Sequence, residues 1–253
     1  MIKSIPFSFY VEEFNQPFSG WDFSYISETG RVQTELLPWS YGSIVLPYMQ
    51  QATSMLDMGT GGGELLSSLR PFPAQIYATE GYEPNVPIAK NRLEPLGVKV
   101  YAIQDDDTLP FESNLFDFIT NKHESYSVPE LKRILRPKGI FVTQQVGGLD
   151  CNDINTCLGA PINPEYSHWN LDYAINELEN AGFEIVHKSE YFPKQRFYDI
   201  GALLYYLKAI PWQIPGFKIK DYEEKLSRVH DQIQQDGYLD IQQHRFMLIA
   251  IAK

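Results

Sequence analysis

The chain has 253 residues, 43% of them hydrophobic, which suits one large α/β domain with additions and argues against disorder. Its net charge is −11, from 32 acids against 21 bases, and such a balance opposes tight non-specific binding to a phosphate backbone. Two cysteines, Cys151 and Cys157, are too few for a disulfide scaffold and suit free thiols in a reducing cytoplasm; no Cys-x-x-Cys pair points to a metal, no signal-peptide core is present, and no apolar run reaches the roughly 18 residues of a membrane span.

Residues 1–51 form an aromatic-rich extension that includes Trp39 and Tyr41, with a helix predicted over 41–51. Aromatic residues both fill cores and line pockets, so the segment reads either as a cap over a cleft or as packing. The main domain is expected over 52–253. A short apolar strand, 52–56, runs into Asp57-Met58-Gly59-Thr60-Gly61-Gly62-Gly63, and helix-favouring residues 64–69 follow. Strand, acid, glycine turn and helix in that order make a ligand cradle. Glycine lets the backbone turn tightly and approach a ligand, and the helix N-terminus offers free N–H groups. The spacing is not the G-x-G-x-x-G of a dinucleotide site, and no Lys-Ser or Lys-Thr pair closes a phosphate loop.

A second strand, 76–79, ends at Glu80 and Gly81, and a third, 99–103, runs into Gln104-Asp105-Asp106-Asp107-Thr108-Leu109-Pro110-Phe111. Strand 116–121 ends on Asn121 and is followed by Lys122, His123 and Glu124. A helix predicted over 131–136 closes in a Pro137-Lys138-Gly139 turn before a fifth strand, 140–146. Residues 151–167 read as a polar loop with one short helix. Leu171, Ala174, Ile175 and Leu178 recur at helical spacing over 170–181, and Gly182 stops that helix. Alternation over 183–191 and the apolar run 245–252 give the two closing strands. Between them, residues 192–244 form a helical insertion holding Tyr205, Tyr206 and Trp212. It reads as a substrate lid, or as an oligomer contact or structural cover.

The run from about 53 to 146 resembles the class I S-adenosylmethionine-dependent methyltransferases, in particular their type 11-like domain. The resemblance rests on Asp57-x-Gly59-x-Gly61, on Glu80, on the Asp105 to Phe111 segment and on the Phe116-Asp117 strand opening. It implies a Rossmann-like, seven-stranded, mostly parallel sheet with helices on both faces. The last strand would be antiparallel, with the N-terminal extension and the insertion added. It also implies S-adenosylmethionine as cofactor. Asp57, Gly59, Thr60 and Gly61 would lie near its methionine part and Glu80, with Gly81, at the ribose. The Asp105 carboxylate and the Asp106 N–H would meet the adenine, with Asn121 beside them. Lys138 stands where the family usually has a glycine.

Methyl transfer to an acceptor that must lose a proton needs a base. His123 is the candidate, with Glu124 orienting it or acting alone. His168, His187, His230 and His244 stand in no ligand spacing and read as structural. The expected reaction is O- or N-methylation of a small molecule held between Trp39, Tyr41, Tyr205, Tyr206 and Trp212. Two alternatives stand beside it. One is a ribosomal or transfer RNA methyltransferase, which the scarcity of bases argues against. The other is a protein that binds S-adenosylmethionine without catalysis. The sequence leaves the acceptor and the oligomeric state open.

Overall fold

A computed structural model describes residues 5–18 and 21–253; residues 1–4 and 19–20 of the expected extension lie outside the described residues. The chain divides into two compact units. One joins Pro38–Gly147, Trp169–Tyr191 and Arg245–Lys253, and the other joins Met1–Leu37, Gly148–His168 and Phe192–His244. Residues 38–51, expected with the extension, thus belong with the sheet.

The first unit holds seven strands: β1 (Ser54–Met58), β2 (Gln75–Glu80), β3 (Lys99–Ala102), β4 (Phe116–Lys122), β5 (Leu135–Val146), β6 (Phe183–Tyr191) and β7 (Arg245–Ala252). Their order is β3-β2-β1-β4-β5-β7-β6. The strands from β3 across to β5 are parallel, and β7 runs antiparallel to both β5 and β6. A parallel sheet covered on both faces needs apolar residues at odd and even positions alike. That is how the strands read. Leu56, Ile119, Phe141, Phe246 and Leu248 face one hydrophobic cluster with helices Val128–Ile134 and Leu171–Asn180. Their neighbours Met55, Phe118, Val142, Met247 and Ile249 face another with helices Tyr41–Met49, Glu64–Ser68 and Val86–Leu93.

Local signals fix the ends of these elements. Ser40 caps the helix Tyr41–Met49 by accepting from Ser43 N at 3.3 Å, and Asn170 caps Leu171–Asn180 by accepting from Tyr173 N at 2.9 Å. Asp117 ties the start of β4 to that of β1, accepting from Thr53 N at 3.0 Å and Ser54 N at 3.1 Å. One expectation is corrected. Residues 135–139, read as the end of a helix and a turn, open β5 instead. Pro137 has no N–H to give a helix and keeps Arg136 out of the helical region. Lys138 then takes φ +66°, and the β4–β5 register shifts between Phe116 and Phe118.

The second unit is built on a three-stranded antiparallel sheet, in the order Val32–Thr34, Lys194–Phe197, Leu239–Gln242. None of these short strands was expected from the sequence. Helices Asn152–Leu158, Ile200–Ala209 and Ile219–Asp236 supply most of its core. Ile200–Ala209 is apolar nearly all round, and nine of its ten residues are buried. Asp199 caps it, accepting from Ala202 N at 2.8 Å, and is held in turn by Arg31 through contacts of 2.6 and 2.8 Å. Arg31 also meets Glu13 at 2.8 Å.

Candidate cofactor site

The carboxyl ends of β1, β2, β3 and β4 lie side by side. Register pairs Asp57 with Ala78 and with Thr120, Met58 with Asn121, and Glu80 with Ala102. Parallel alignment therefore brings Asp57, Gly59, Thr60, Gly61, Glu80, Gly81 and Asn121 to one end of the sheet, where open α/β sheets bind ligands. The Asp105–Asp106 loop joins them from β3, and His123 and Glu124 from the end of β4.

The glycine turn is anchored on β2. Thr60 N donates to Thr79 O at 2.9 Å. Gly59 and Gly61 both take φ +62°, a region side chains disfavour. A Cβ on Gly61 would meet nothing within 4 Å, so the backbone there faces open space. A Cβ on Gly59 would instead run into Glu124. Asp57 accepts from Thr120 Oγ1 at 2.7 Å. Desolvation raises its pKa, opposed by the hydrogen bond from Thr120, by the nearby Thr60 hydroxyl and by the charge of Lys122. Burial holds Lys122 below its ordinary range, with Asp57 pulling the other way.

Glu80 is 3% exposed and accepts from Tyr82 N at 2.7 Å. Desolvation raises its pKa, while the Tyr82, Gly61 and Gly81 backbone N–H groups and the nearby Asn85 amide restrain it. A carboxylate has about four lone-pair sites, so it can serve these N–H groups and a diol together. Asp105 turns inward on its own loop, its Oδ1 accepting from Asp107 N and Thr108 N at 3.1 Å each. The Ser125 hydroxyl holds Asp106. Glu130 and Arg133 pin the following Leu-Pro-Phe segment. Glu130 Oε2 accepts from Leu109 N at 3.0 Å, and Arg133 donates to Phe111 O at 2.6 Å and to Leu109 O at 3.1 Å.

Glu124 is pushed up to about 7, by desolvation first and then by the charges of Asp106 and Glu80. Asp106 is raised by desolvation and by Asp105 and Asp107, with Ser125 opposing. Asp106 and Glu80 thus both repel a charge on Glu124 beside the glycine turn, and a cation entering there would relieve it. An open glycine backbone, a buried strand-end carboxylate and this negative field fit a cofactor with a ribose diol and a sulfonium.

Beneath the site, Asn121 is fully buried. Its Oδ1 accepts from Gln145 Nε2 at 2.7 Å and Thr143 Oγ1 at 3.1 Å, and its Nδ2 donates to Ser125 O at 3.1 Å. Gln145 Nε2 also donates to Glu124 O at 2.9 Å. The side chain of Asn121 therefore braces the loop carrying Glu124. Tyr41 is buried there too, its hydroxyl donating to Asn121 O at 3.1 Å. Trp39 Nε1 donates to Gln144 Oε1 at 2.8 Å. Tyr205, Tyr206 and Trp212 belong to the other unit. Tyr205 and Tyr206 are buried in its core against Phe18, Tyr25, Phe23 and Phe197, and Trp212 packs on Trp21 with ring centroids 5.5 Å apart. Thr143, Gln144 and Gln145 were missed as site residues. Their signal in the sequence is three polar residues in a row within an apolar strand.

The strand order, the antiparallel β7 and a site at the β1 glycine turn define the Rossmann-like fold of the class I methyltransferases. Residues 56–143 match a family model described as "Methyltransferase domain". Over those residues the chain is thus similar to a methyltransferase domain, on a fold that class I S-adenosylmethionine-dependent methyltransferases share. A protein-L-isoaspartate O-methyltransferase of Dictyoglomus thermophilum is 34% identical over 132 residues, covering 47% of this chain. The chain spans 60% of that relative's length. Among solved structures, a candidate methyltransferase of Bacillus halodurans superposes with a TM-score of 0.58 at 16% identity, over 84% of this chain and 99% of that one. The YcgJ protein of Bacillus subtilis gives 0.56 at 16%, over 84% and 97%. The [4+2]-cyclase SpnF gives 0.51 at 18%, over 83% and 79%. At such identities the likeness is one of fold.

Proposed function

We propose that this protein transfers the methyl group of S-adenosylmethionine to an oxygen or nitrogen of a small-molecule acceptor in the cytoplasm. The convergence of Gly61, Glu80, Asp106 and Glu124 at one end of the sheet carries this reading. Gly59 and Gly61 make room for the methionine part, with Asp57 behind them. Glu80 takes the ribose hydroxyls, and the Asp105–Asp106 loop takes the adenine. The bound cofactor supplies a methyl group activated by a sulfonium. The chain's residues hold that methyl in line with the acceptor, and alignment alone accounts for much of such a rate. The carboxylates around the turn favour the sulfonium over a neutral thioether.

A small acceptor is supported by charge. The excess of acids and the carboxylates at the site oppose a polyanion such as RNA. The relative from Dictyoglomus supports a second reading, an isoaspartyl carboxylate acceptor on a peptide. That acceptor would bring one more negative group toward Glu124 and Asp106, which disfavours it. The cyclase among the fold neighbours is a reminder that this fold alone does not dictate methyl transfer. The test has two steps. Calorimetry with S-adenosylmethionine should show binding, and its absence sinks the proposal. Labelled methyl is then offered to a metabolite extract, an isoaspartyl peptide and transfer RNA. Label in the small-molecule fraction supports the first reading, label in the peptide the second, and label in RNA overturns both.

A further inference from the structure

Trp39, Gln144 and His123 form a chain of hydrogen bonds whose directions can be read. An indole N–H only donates. Trp39 Nε1 lies 2.8 Å from Gln144 Oε1, so the Gln144 amide has its oxygen turned toward Trp39. Its nitrogen then lies 3.0 Å from His123 Nε2, and an amide NH₂ also only donates. His123 Nε2 must therefore present a lone pair, which leaves the ring proton on Nδ1.

The backbone holds the ring to this arrangement. His123 N donates to Gln144 O at 2.8 Å, and Lys122 pairs with Gln144 in the β4–β5 register. His123 takes φ +61°, a left-handed region that a non-glycine residue disfavours. Such strain persists where the surroundings over-determine a residue. Crowding by protein, then the charges of Lys122 and Arg245, push its pKa down and so favour the neutral imidazole, although the residue as a whole remains exposed to solvent.

We propose that Trp39 and Gln144 are positioning residues that lock His123 in its Nδ1–H tautomer, so that it meets the methyl acceptor as a hydrogen-bond donor and not as the base that removes its proton. The inference rests on the methyltransferase reading above and gives His123 the opposite role to the one expected from sequence. It also bears on the acceptor. The attacking atom gives no proton to His123: it attacks as a neutral amine or an ionised oxygen, or passes its proton to Glu124, and an acceptor atom lies close enough to take the Nδ1–H.

Long-range ¹H–¹⁵N correlation NMR on histidine-labelled protein, without cofactor or acceptor, reads which ring nitrogen carries the proton. The expected spectrum has His123 protonated at Nδ1 and bare at Nε2, unchanged from about pH 8 to about pH 5. Trp39→Phe removes the donor that orients the amide and should bring in the Nε2–H form. Gln144→Glu puts an acceptor at the same point and should move the proton to Nε2. If Trp39→Phe fails to fold, Gln144→Glu decides. A wild-type ring protonated at Nε2, or titrating in that range, overturns the proposal, as does an unchanged tautomer in both variants. With no cofactor in the sample, failure here leaves the methyltransferase reading standing, and failure of S-adenosylmethionine to bind leaves the tautomer result standing.

Discussion

Glu124 lies across Gly59: a methyl group on Gly59 would sit 2.5 Å from Glu124 Cβ and 2.6 Å from its Oε2. The glycine is thus required twice, by its φ of +62° and by its neighbour. Gly59→Ala should cost about 1–2 kcal/mol from the backbone alone, with the clash added. Denaturant unfolding of Gly59→Ala, Glu124→Gly and the double variant measures the coupling. Residues in contact couple by roughly 0.5 kcal/mol or more, and strictly additive costs would mean that Glu124 does not cover the turn.

The same carboxylate should make stability depend on pH. Glu124 ordinarily titrates near 4.5 and is pushed up to about 7 here. Between those values the folded chain keeps a proton that the unfolded chain has lost, so this group's contribution falls as pH rises through the window. Glu124→Gln should match wild type at about pH 5 and exceed it at about pH 8, by roughly 1–2 kcal/mol once solvent screening is allowed for. Thermal melts across that range check it; parallel curves would contradict the clustering of Glu124 with Asp106 and Glu80.

A cation in the site reverses that preference. Ionised Glu124 favours the sulfonium of S-adenosylmethionine over the neutral sulfur of S-adenosylhomocysteine. The affinity ratio between the two should therefore rise from about pH 6 to about pH 8 in wild type and stay flat in Glu124→Gln. Calorimetric titrations of both ligands at each pH provide the measurement. An equally steep rise in the variant would assign the effect to another group.

Glu80→Ala should weaken S-adenosylmethionine about ten- to a hundred-fold, since hydrogen bonds to a charged acceptor are worth about 1.5–3 kcal/mol. A cofactor analogue lacking one ribose hydroxyl should bind wild type more weakly and the variant no differently. If the analogue loses equally on both proteins, the ribose lies elsewhere.

In the second unit, Arg31 serves Asp199 and Glu13 together. Arg31→Ala strands two carboxylates, one of them the cap of helix Ile200–Ala209. The expected loss is about 1–3 kcal/mol, below that for a fully buried pair because all three groups keep some contact with water. Asp199→Asn should cost less, because an amide oxygen still caps the helix.

The sheet was readable in the sequence because its strands are apolar on both faces and are separated by glycine, acid and proline signals. Asp57 to Gly63 marked the site for the same reason: a turn with three left-handed glycines, Gly59, Gly61 and Gly63, leaves little choice of residue. What stayed hidden depends on partners distant in the chain. Val32–Thr34 and Leu239–Gln242 are three and four residues long, too short to show alternation, and become strands by pairing with Lys194–Phe197. The run Tyr205-Tyr206 resembles a pocket wall in the sequence as much as a core, and only packing against Tyr25 and Phe23 distinguishes them. His123 could be named from its place after β4, but its tautomer could not, because that depends on Gln144 and Trp39.

The placement of β7 between β5 and β6 has a consequence for synthesis. β6 pairs with no other strand of the described sheet, and the chain must produce all of Phe192–His244 before its partner emerges from the ribosome. Until then β6 is a nascent strand with bare hydrogen-bonding groups on both sides, a template for aggregation. Its own residues answer this hazard. Glu184, His187, Lys188 and Glu190 remain exposed in the finished fold and would keep the waiting strand hydrated and charged. In the finished fold the same polarity guards a permanent sheet edge, where Glu184 pairs with Lys253 and Glu190 accepts from Leu171 N.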